Sequence, residues 1–200
     1  FYLSKKHQEA LAHLFYGVSQ RKGILVVTGE IGTGKTTLCR FFLNRIRKDI
    51  KTAFILNSFF STTELVESVV KDFGVKLKTG RGFSVIDEFN KFLLRESRLG
   101  NNVVLIIDEA QNLNEQQLEH IRLLSNLETE KDKLLQIVLS GQPELDLLLN
   151  RPELRQLKQR IAVYYQLCRM DFYDTAGYIG HRLAVAGGGA AVTFTRGALQ

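Results

Sequence analysis

Apolar residues along this 200-residue chain recur with two different periods. In SKKHQEALAHLFYGVSQ, Ala10, Leu11, Leu14, Phe15 and Val18 fall at helical spacing behind Ser4, which stands where an N-cap belongs, and Gly23 closes the segment. Ile24 to Thr28 is then a short continuous apolar run and reads as a buried strand. Gly34 to Ile46 returns to the helical period, with Leu38, Phe41, Phe42 and Ile46 on one face. Ala53 to Leu56 is a second strand. STTELVESVVKDFG is a helix whose Ser61 and Glu64 stand in capping-box relation, with Gly74 as its stop. The loop KLKTGRG leads to a helix from Ser84 to Leu99. NNVVLIIDEA is an apolar strand ending in two acids. Helix Asn114 to Glu128, strand Leu134 to Leu139, short helices Glu144 to Leu149 and Glu153 to Gln159, and strand Val163 to Leu167 complete the series.

Strands that alternate with helices and are apolar throughout predict a parallel sheet covered by helices on both faces, an α/β fold. After Asp171 the alternation stops. One helix runs to about Ala186, Gly187 to Gly189 read as a turn because no strand precedes them, and TFTRGALQ opens another helix. The expected organisation is a nucleotide-binding core over 1–169, including the N-terminal helix, and a partial helical lid over 170–200.

Composition narrows the class only a little. At 44% hydrophobic and 24% charged the chain is ordinary for a globular protein. Its longest uninterrupted aliphatic run, VVLII, has the length of a strand and not of a membrane span. No signal-peptide pattern opens it. It begins at Phe1 and its only Met is Met170, so it is expected to be part of a longer chain. Cys39 and Cys168 lie far apart within apolar patterns, which fits a reducing compartment better than a disulfide framework. His7, His13, His120 and His181 show no ligand spacing with Cys or carboxylates and are read as solvated or packed. The net charge of +6 suits an anionic partner and equally a basic solvated surface.

The chemistry begins at GEIGTGKTT. Residues 29 to 36 match G-x-x-x-x-G-K-[ST] between a strand and a helix, the context that a phosphate-binding loop requires. Gly29, Gly32 and Gly34 allow a tight turn whose N–H groups, with those of Glu30, Ile31 and Thr33, converge on phosphate oxygens. The following helix N-terminus, with Thr37 in its first turn, adds partial positive charge. Lys35 is placed for the β and γ phosphates, and Thr36 for magnesium. In VVLIIDEAQ, Asp108 at the carboxyl end of a buried strand can orient the metal, and Glu109 beside it can polarise a water. ATP and Mg2+ are therefore the expected ligands. Two further positions carry polar groups suited to the γ-phosphate end. The strand LLQIVLSGQPEL ends at Ser140, Gly141 and Gln142. RPELRQLKQR carries Arg151, Arg155, Lys158 and Arg160. Such a charge run is usually a solvated helix face, yet Arg160 stands directly before a strand and could be offered to a neighbouring subunit.

Taken in order, GEIGTGKTT, VVLIIDEAQNL, IRLLSNLET, LLQIVLSGQPEL, RPELRQLKQRI and YIGHRLAVAGG resemble the AAA+ ATPases of the general secretion pathway protein A (ExeA/GspA) type. The resemblance runs from FYLSKKHQEALAHLFYG to Gln200; its later segments are narrower than the phosphate loop and the acidic pair, which many ATPases share. It implies an AAA+ core with a partial lid, ATP with magnesium, and a homo-oligomer with sites between subunits. It implies that Arg160 is an arginine finger acting in trans, with Arg155 second, and that Gln142 or Ser140 is the sensor-1 position. It further implies that Asn57 contacts Glu109 and holds it inactive. The family's sensor-2 arginine falls beyond Gln200. The family's ATPase is the cytoplasmic part of an inner-membrane protein that helps a secretin pore assemble, so a cytoplasmic location and a membrane-protein secretion partner are expected on resemblance alone.

The leading expectation is thus an ATP-hydrolysing assembly motor of a bacterial envelope system. The alternative is a DNA-associated ATPase of the transposition-helper or replication-initiation kind, which the basic balance would favour, although basic residues with interleaved aromatics are not concentrated anywhere. A small-molecule kinase is the third reading, and Glu109 with a finger in trans argues against it.

Overall fold

Five strands form one parallel sheet: β1 (Ile24–Gly29), β2 (Lys51–Ile55), β3 (Val103–Ile107), β4 (Gln136–Gly141) and β5 (Ile161–Leu167), in the order β2-β3-β4-β1-β5. The computed structural model describes residues 2–47, 49–56, 61–76, 84–129, 133–188, 192 and 194–198. Because strand side chains alternate, each inner strand feeds two cores. Ile24, Val26, Leu105, Ile107, Ile137 and Leu139 face one side, and Leu25, Val27, Val104, Ile106 and Val138 face the other. This is why the inner strands read as unbroken apolar runs.

Helices α1 (Lys5–Ser19) and α2 (Lys35–Arg45) cover the second face with Leu14, Val18, Leu38 and Phe42. Helices α3 (Thr62–Asp72), α4 (Val85–Arg98), α5 (Glu115–Ser125), α6 (Glu144–Leu149) and α7 (Arg155–Lys158) cover the first. Phe42 and Phe89, one on each side, are fully buried, worth about 1.5–3 kcal/mol apiece relative to exposure. The capping signals act as written. The Ser61 hydroxyl accepts from Glu64 N–H while Glu64 accepts from Ser61 N–H, and Ser4 accepts from His7 N–H. Helix α8 (Phe172–Val185) follows β5, and Gly187, at φ +76°, terminates it. Beyond it the described residues contain one 3-10 turn at Arg196–Ala198; Gly189 lies outside the described residues.

The strand order places the site. From β1 the chain passes through α2 to β2 on one side, whereas from β4 it passes through α6 and α7 across β1 to β5 on the other. Connections leaving in opposite directions open a crevice at the carboxyl ends of β1 and β4.

Several expectations change. The edge strands are not buried on both faces: in β5, Ala162, Tyr164 and Gln166 are exposed, because β5 pairs only with β1. β4 begins at Gln136 and not at Leu134. The Gln136 carboxamide satisfies Gly23 N–H at 2.7 Å and Lys133 O at 2.9 Å, which makes a buried polar residue a strand residue. α5 ends at Ser125, not at Glu128, because Glu128 pairs with Lys133 in an antiparallel bridge. Cys39 is buried as the apolar pattern implies, but Cys168, just past the end of β5, is exposed.

Candidate active site

The phosphate loop connects β1 to α2 at that crevice. Gly29 closes β1 against β5: a Cβ there would lie 2.5 Å from the Leu167 carbonyl oxygen. Gly32 and Gly34 take the left-handed region, at φ +81° and +90°. The loop is tied internally. Thr33 Oγ1 donates to Glu30 O at 2.8 Å, and Lys35 Nζ donates to Gly29 O at 2.7 Å and to Glu30 O at 3.0 Å. Lys35 is only 6% exposed, and among the described residues no carboxylate pairs with it. A buried ammonium held by carbonyl dipoles alone strongly favours an anion beside it. Glu30, Ile31 and Thr37 are exposed, and Thr36 is half-buried at the start of α2.

Asp108 follows β3 and is fully buried. Its Oδ2 accepts from Thr36 Oγ1 at 2.5 Å and its Oδ1 accepts from Ser140 Oγ at 2.7 Å. Both carboxylate oxygens are thus fixed by the phosphate loop and by the end of β4. Cys39 lies behind them. Burial first, then the charge of Asp108, pushes its thiol up to about 12, so no second anion forms beside Asp108.

Glu109 takes a left-handed conformation, φ 53° and ψ 39°, which breaks the extended line of the strand. Gln111 Nε2 donates to Glu109 Oε2 at 2.6 Å and Gln142 Nε2 donates to the same oxygen at 3.3 Å. Gln111 also accepts from Gln142 N–H at 3.0 Å. Ser140 and Gln142, which the sequence left as alternatives, therefore do different things: Ser140 holds Asp108 and Gln142 touches Glu109.

Two cavities meet at the loop. One of about 380 Å³ lies between Lys35, Thr36, Glu109 and Gln142. The other, about 730 Å³, lies between the loop and α8, with Tyr2, Tyr178 and His181 in its wall. The Tyr2 ring stands 6.2 Å from Tyr178 and 6.0 Å from His181, centroid to centroid. The residues fit a magnesium nucleotide. An open concavity faces Gly32, where nothing lies within 4 Å of the missing Cβ. A buried cation stands at its floor, and an oriented hydroxyl–carboxylate pair stands at one end.

Arg160 is not in this constellation. It precedes β5, and the parallel register Ile24↔Ile161 to Gly29↔Leu167 sets it at the opposite end of the sheet, about 20 Å of strand away. It is half-buried near Glu128, whose carboxyl is held low by its bond to Lys133, with a smaller pull from Arg160. Arg155 is exposed, and Arg151 pairs with Glu115 at 2.6 Å. Asn57 lies outside the described residues.

Two residues of the site escaped the sequence reading. Gln111 was legible only as part of DEAQ, since its contact depends on the left-handed turn at Glu109. His7 is 1% exposed and bound to the phosphate loop. Its signal was its place on the stripe His7, Leu11, Leu14 of α1, just after the N-cap Ser4.

A family profile described as the AAA domain matches residues 18–149. General secretion pathway protein A of Aeromonas hydrophila is 42% identical over 187 residues, covering 93% of this chain. The chain spans about a third of that relative's length, 34%. Among solved structures, Cdc6p from Pyrobaculum aerophilum superposes with a TM-score of 0.69 at 18% identity, covering 92% of this chain and 52% of the other. The ORC2 protein of Aeropyrum pernix, described in ADPNP–ADP complexes, gives 0.67 at 16% identity over 88% and 50%. At these identities the structural likeness is one of fold.

Proposed function

The chain belongs to the AAA domain family, and from that premise we propose that it binds ATP with magnesium at the loop 29–37 and hydrolyses it to ADP and phosphate. The observation that carries the reading is the buried ammonium of Lys35, held by carbonyl oxygens and, among the described residues, by no carboxylate, facing an open glycine cradle with Thr36, Asp108 and Glu109 grouped at one end of it.

Lys35 neutralises the β and γ phosphates, and the backbone N–H groups of the loop and of the α2 N-terminus hold their oxygens. Magnesium, when bound with the nucleotide, supplies charge neutralisation at the phosphates, and Thr36 and Asp108 are the residues that would hold it. Glu109 accepts a proton from the attacking water as its oxygen bonds to the γ phosphorus, and the bond from that phosphorus to the β–γ bridging oxygen breaks. Gln111 and Gln142 fix the orientation of the Glu109 carboxylate. Arg160 is too far to serve its own site, so its role is at the site of a neighbouring copy, where it stabilises charge on the transferring phosphoryl group. Helix α8 is the opening of a helical lid over the larger cavity, which it borders with Thr175, Tyr178 and His181.

The cellular reading takes its direction from the relative named for the general secretion pathway: an assembly motor of a bacterial secretion or envelope system, with the cytoplasmic side and a membrane-protein partner coming from the sequence resemblance alone. Among the described residues no helix is long and apolar enough to cross a membrane.

Calorimetry with MgATP tests the site. Wild type should bind, and Lys35→Ala should lose about 2–3 kcal/mol, the size of charge-assisted hydrogen bonds. Glu109→Gln should bind and release little phosphate. Equal affinity in wild type and Lys35→Ala would remove the assignment.

A further inference from the structure

Helix α1 belongs to neither the phosphate loop nor the acidic pair, yet one of its side chains reaches the loop. His7 Nε2 lies 3.0 Å from the Thr33 carbonyl oxygen, and His7 Nδ1 lies 2.7 Å from Ser4 Oγ. The carbonyl can only accept, so Nε2 carries the proton and Nδ1 accepts from the Ser4 hydroxyl. Ser4 therefore does two things at once: it caps α1 by accepting from His7 N–H, and it fixes the imidazole's tautomer. Burial holds the imidazole's pKa below its ordinary value of 6.5, which favours the neutral ring that this arrangement needs.

We propose that His7 is a positioning residue for the phosphate loop: by holding the Thr33 carbonyl, it sets the Thr33–Gly34 peptide so that Gly34 N–H points to the opposite side, toward the phosphates. The peptide unit is planar and trans, so Thr33 C=O and Gly34 N–H point in opposite directions. Thr33 C=O points at α1. Gly34 N–H then points away from it; Gly34 borders both cavities, and the smaller one, which Lys35 also lines, is the one that His7 does not line. Left alone, this peptide would turn over easily. Gly34 sits at φ +90°, and glycine accepts either sign of φ at little cost. The turned peptide would aim a carbonyl oxygen at an anion. His7 removes that alternative by offering the carbonyl a buried donor. Gly34 is matched to it sterically as well, since a Cβ there would stand 3.0 Å from His7 Nε2.

The inference rests on reading the loop as a phosphate cradle, so its test carries a control for that reading. The probe is a fluorescent MgADP analogue titrated into the 200-residue chain, with unlabelled MgADP in competition. His7→Leu keeps the bulk and removes the donor; His7→Gln places an N–H near the Nε2 position. With one neutral hydrogen bond lost, the competent fraction of the loop falls, and the apparent Kd of His7→Leu should rise on the order of tenfold. His7→Gln should stay within about twofold of wild type, a rescue that a packing role would not give. Equal affinity in wild type and His7→Leu, or equal weakening by Leu and Gln, would overturn the role of His7. Lys35→Ala distinguishes the failures: if wild type binds no better than Lys35→Ala, the cradle reading goes, and the role of His7 goes with it.

Discussion

Ser140→Ala tests how the Asp108 carboxylate is held. Asp108 is fully buried and its side chain has two hydroxyl donors, Thr36 at 2.5 Å and Ser140 at 2.7 Å. Removing the Ser140 hydroxyl leaves Oδ1 of a buried anion without that donor. Hydrogen bonds to charged groups are worth about 1.5–3 kcal/mol, and Cys39, packed beside Ser140, offers only a weak S–H in exchange. A loss of about 2 kcal/mol is therefore expected, or roughly 4–8 °C in Tm for a chain of this size. Urea unfolding measures it as a lower midpoint with an unchanged slope. The same substitution made in Asp108→Asn isolates the cause. With the charge gone, the Ser140 effect should shrink by about 1 kcal/mol or more. If Ser140→Ala costs the same in both backgrounds, Ser140 acts by packing and not by its bond to Asp108, and the description of the carboxylate as fixed from two sides is wrong.

Two further outcomes follow. The folded-state pKa of His7 is lowered by burial, opposed by its bond to Thr33 and by the charge of Asp174 on α8, so the unfolded chain protonates first as pH falls. Stability should then be lost below about pH 6.5, by at most roughly 1.4 kcal/mol per pH unit from this group, and urea midpoints of His7→Gln should lack that part of the slope; identical pH dependence would contradict it. If the chain is a DNA-associated ATPase instead, labelled duplex or single-stranded DNA should bind with ATP, weaken steeply with salt and stimulate phosphate release; the secretion reading expects none of these.

The parts of the fold and site that the sequence disclosed are those encoded locally. The spacing of Gly29, Gly34, Lys35 and Thr36 is contiguous, and so is the VVLII run that ends in Asp108 and Glu109. The inner strands read as buried because helices cover both faces. β5 misled, because the Val, Tyr and Leu of the expected strand Val163 to Leu167 read the same whether or not both faces are covered, and only its edge position exposes Tyr164. The length of β4 depended on partners far away, Gly23 for Gln136 and Asp108 for Ser140. His7 illustrates the same limit. A histidine on the buried stripe of a helix signals packing, and only the return of the chain at Thr33, 26 residues later, gives it a partner. The clamp of Gln111 and Gln142 on Glu109 needed a left-handed backbone that no residue type at that position announces.

The most direct test of an ATP site completed between two copies is a mixing measurement. Glu109→Gln and Arg160→Ala are purified separately, and each should bind MgATP and release little phosphate. Mixed, they form some interfaces that pair an intact Glu109 with an intact Arg160 from the neighbour, so phosphate release should reappear and fade on dilution; Arg155→Ala in place of Arg160→Ala is the comparison. If the mixture stays as inactive as its parts while light scattering shows mixed oligomers, Arg160 is a solvated basic residue at a helix end, and the shared site is refuted.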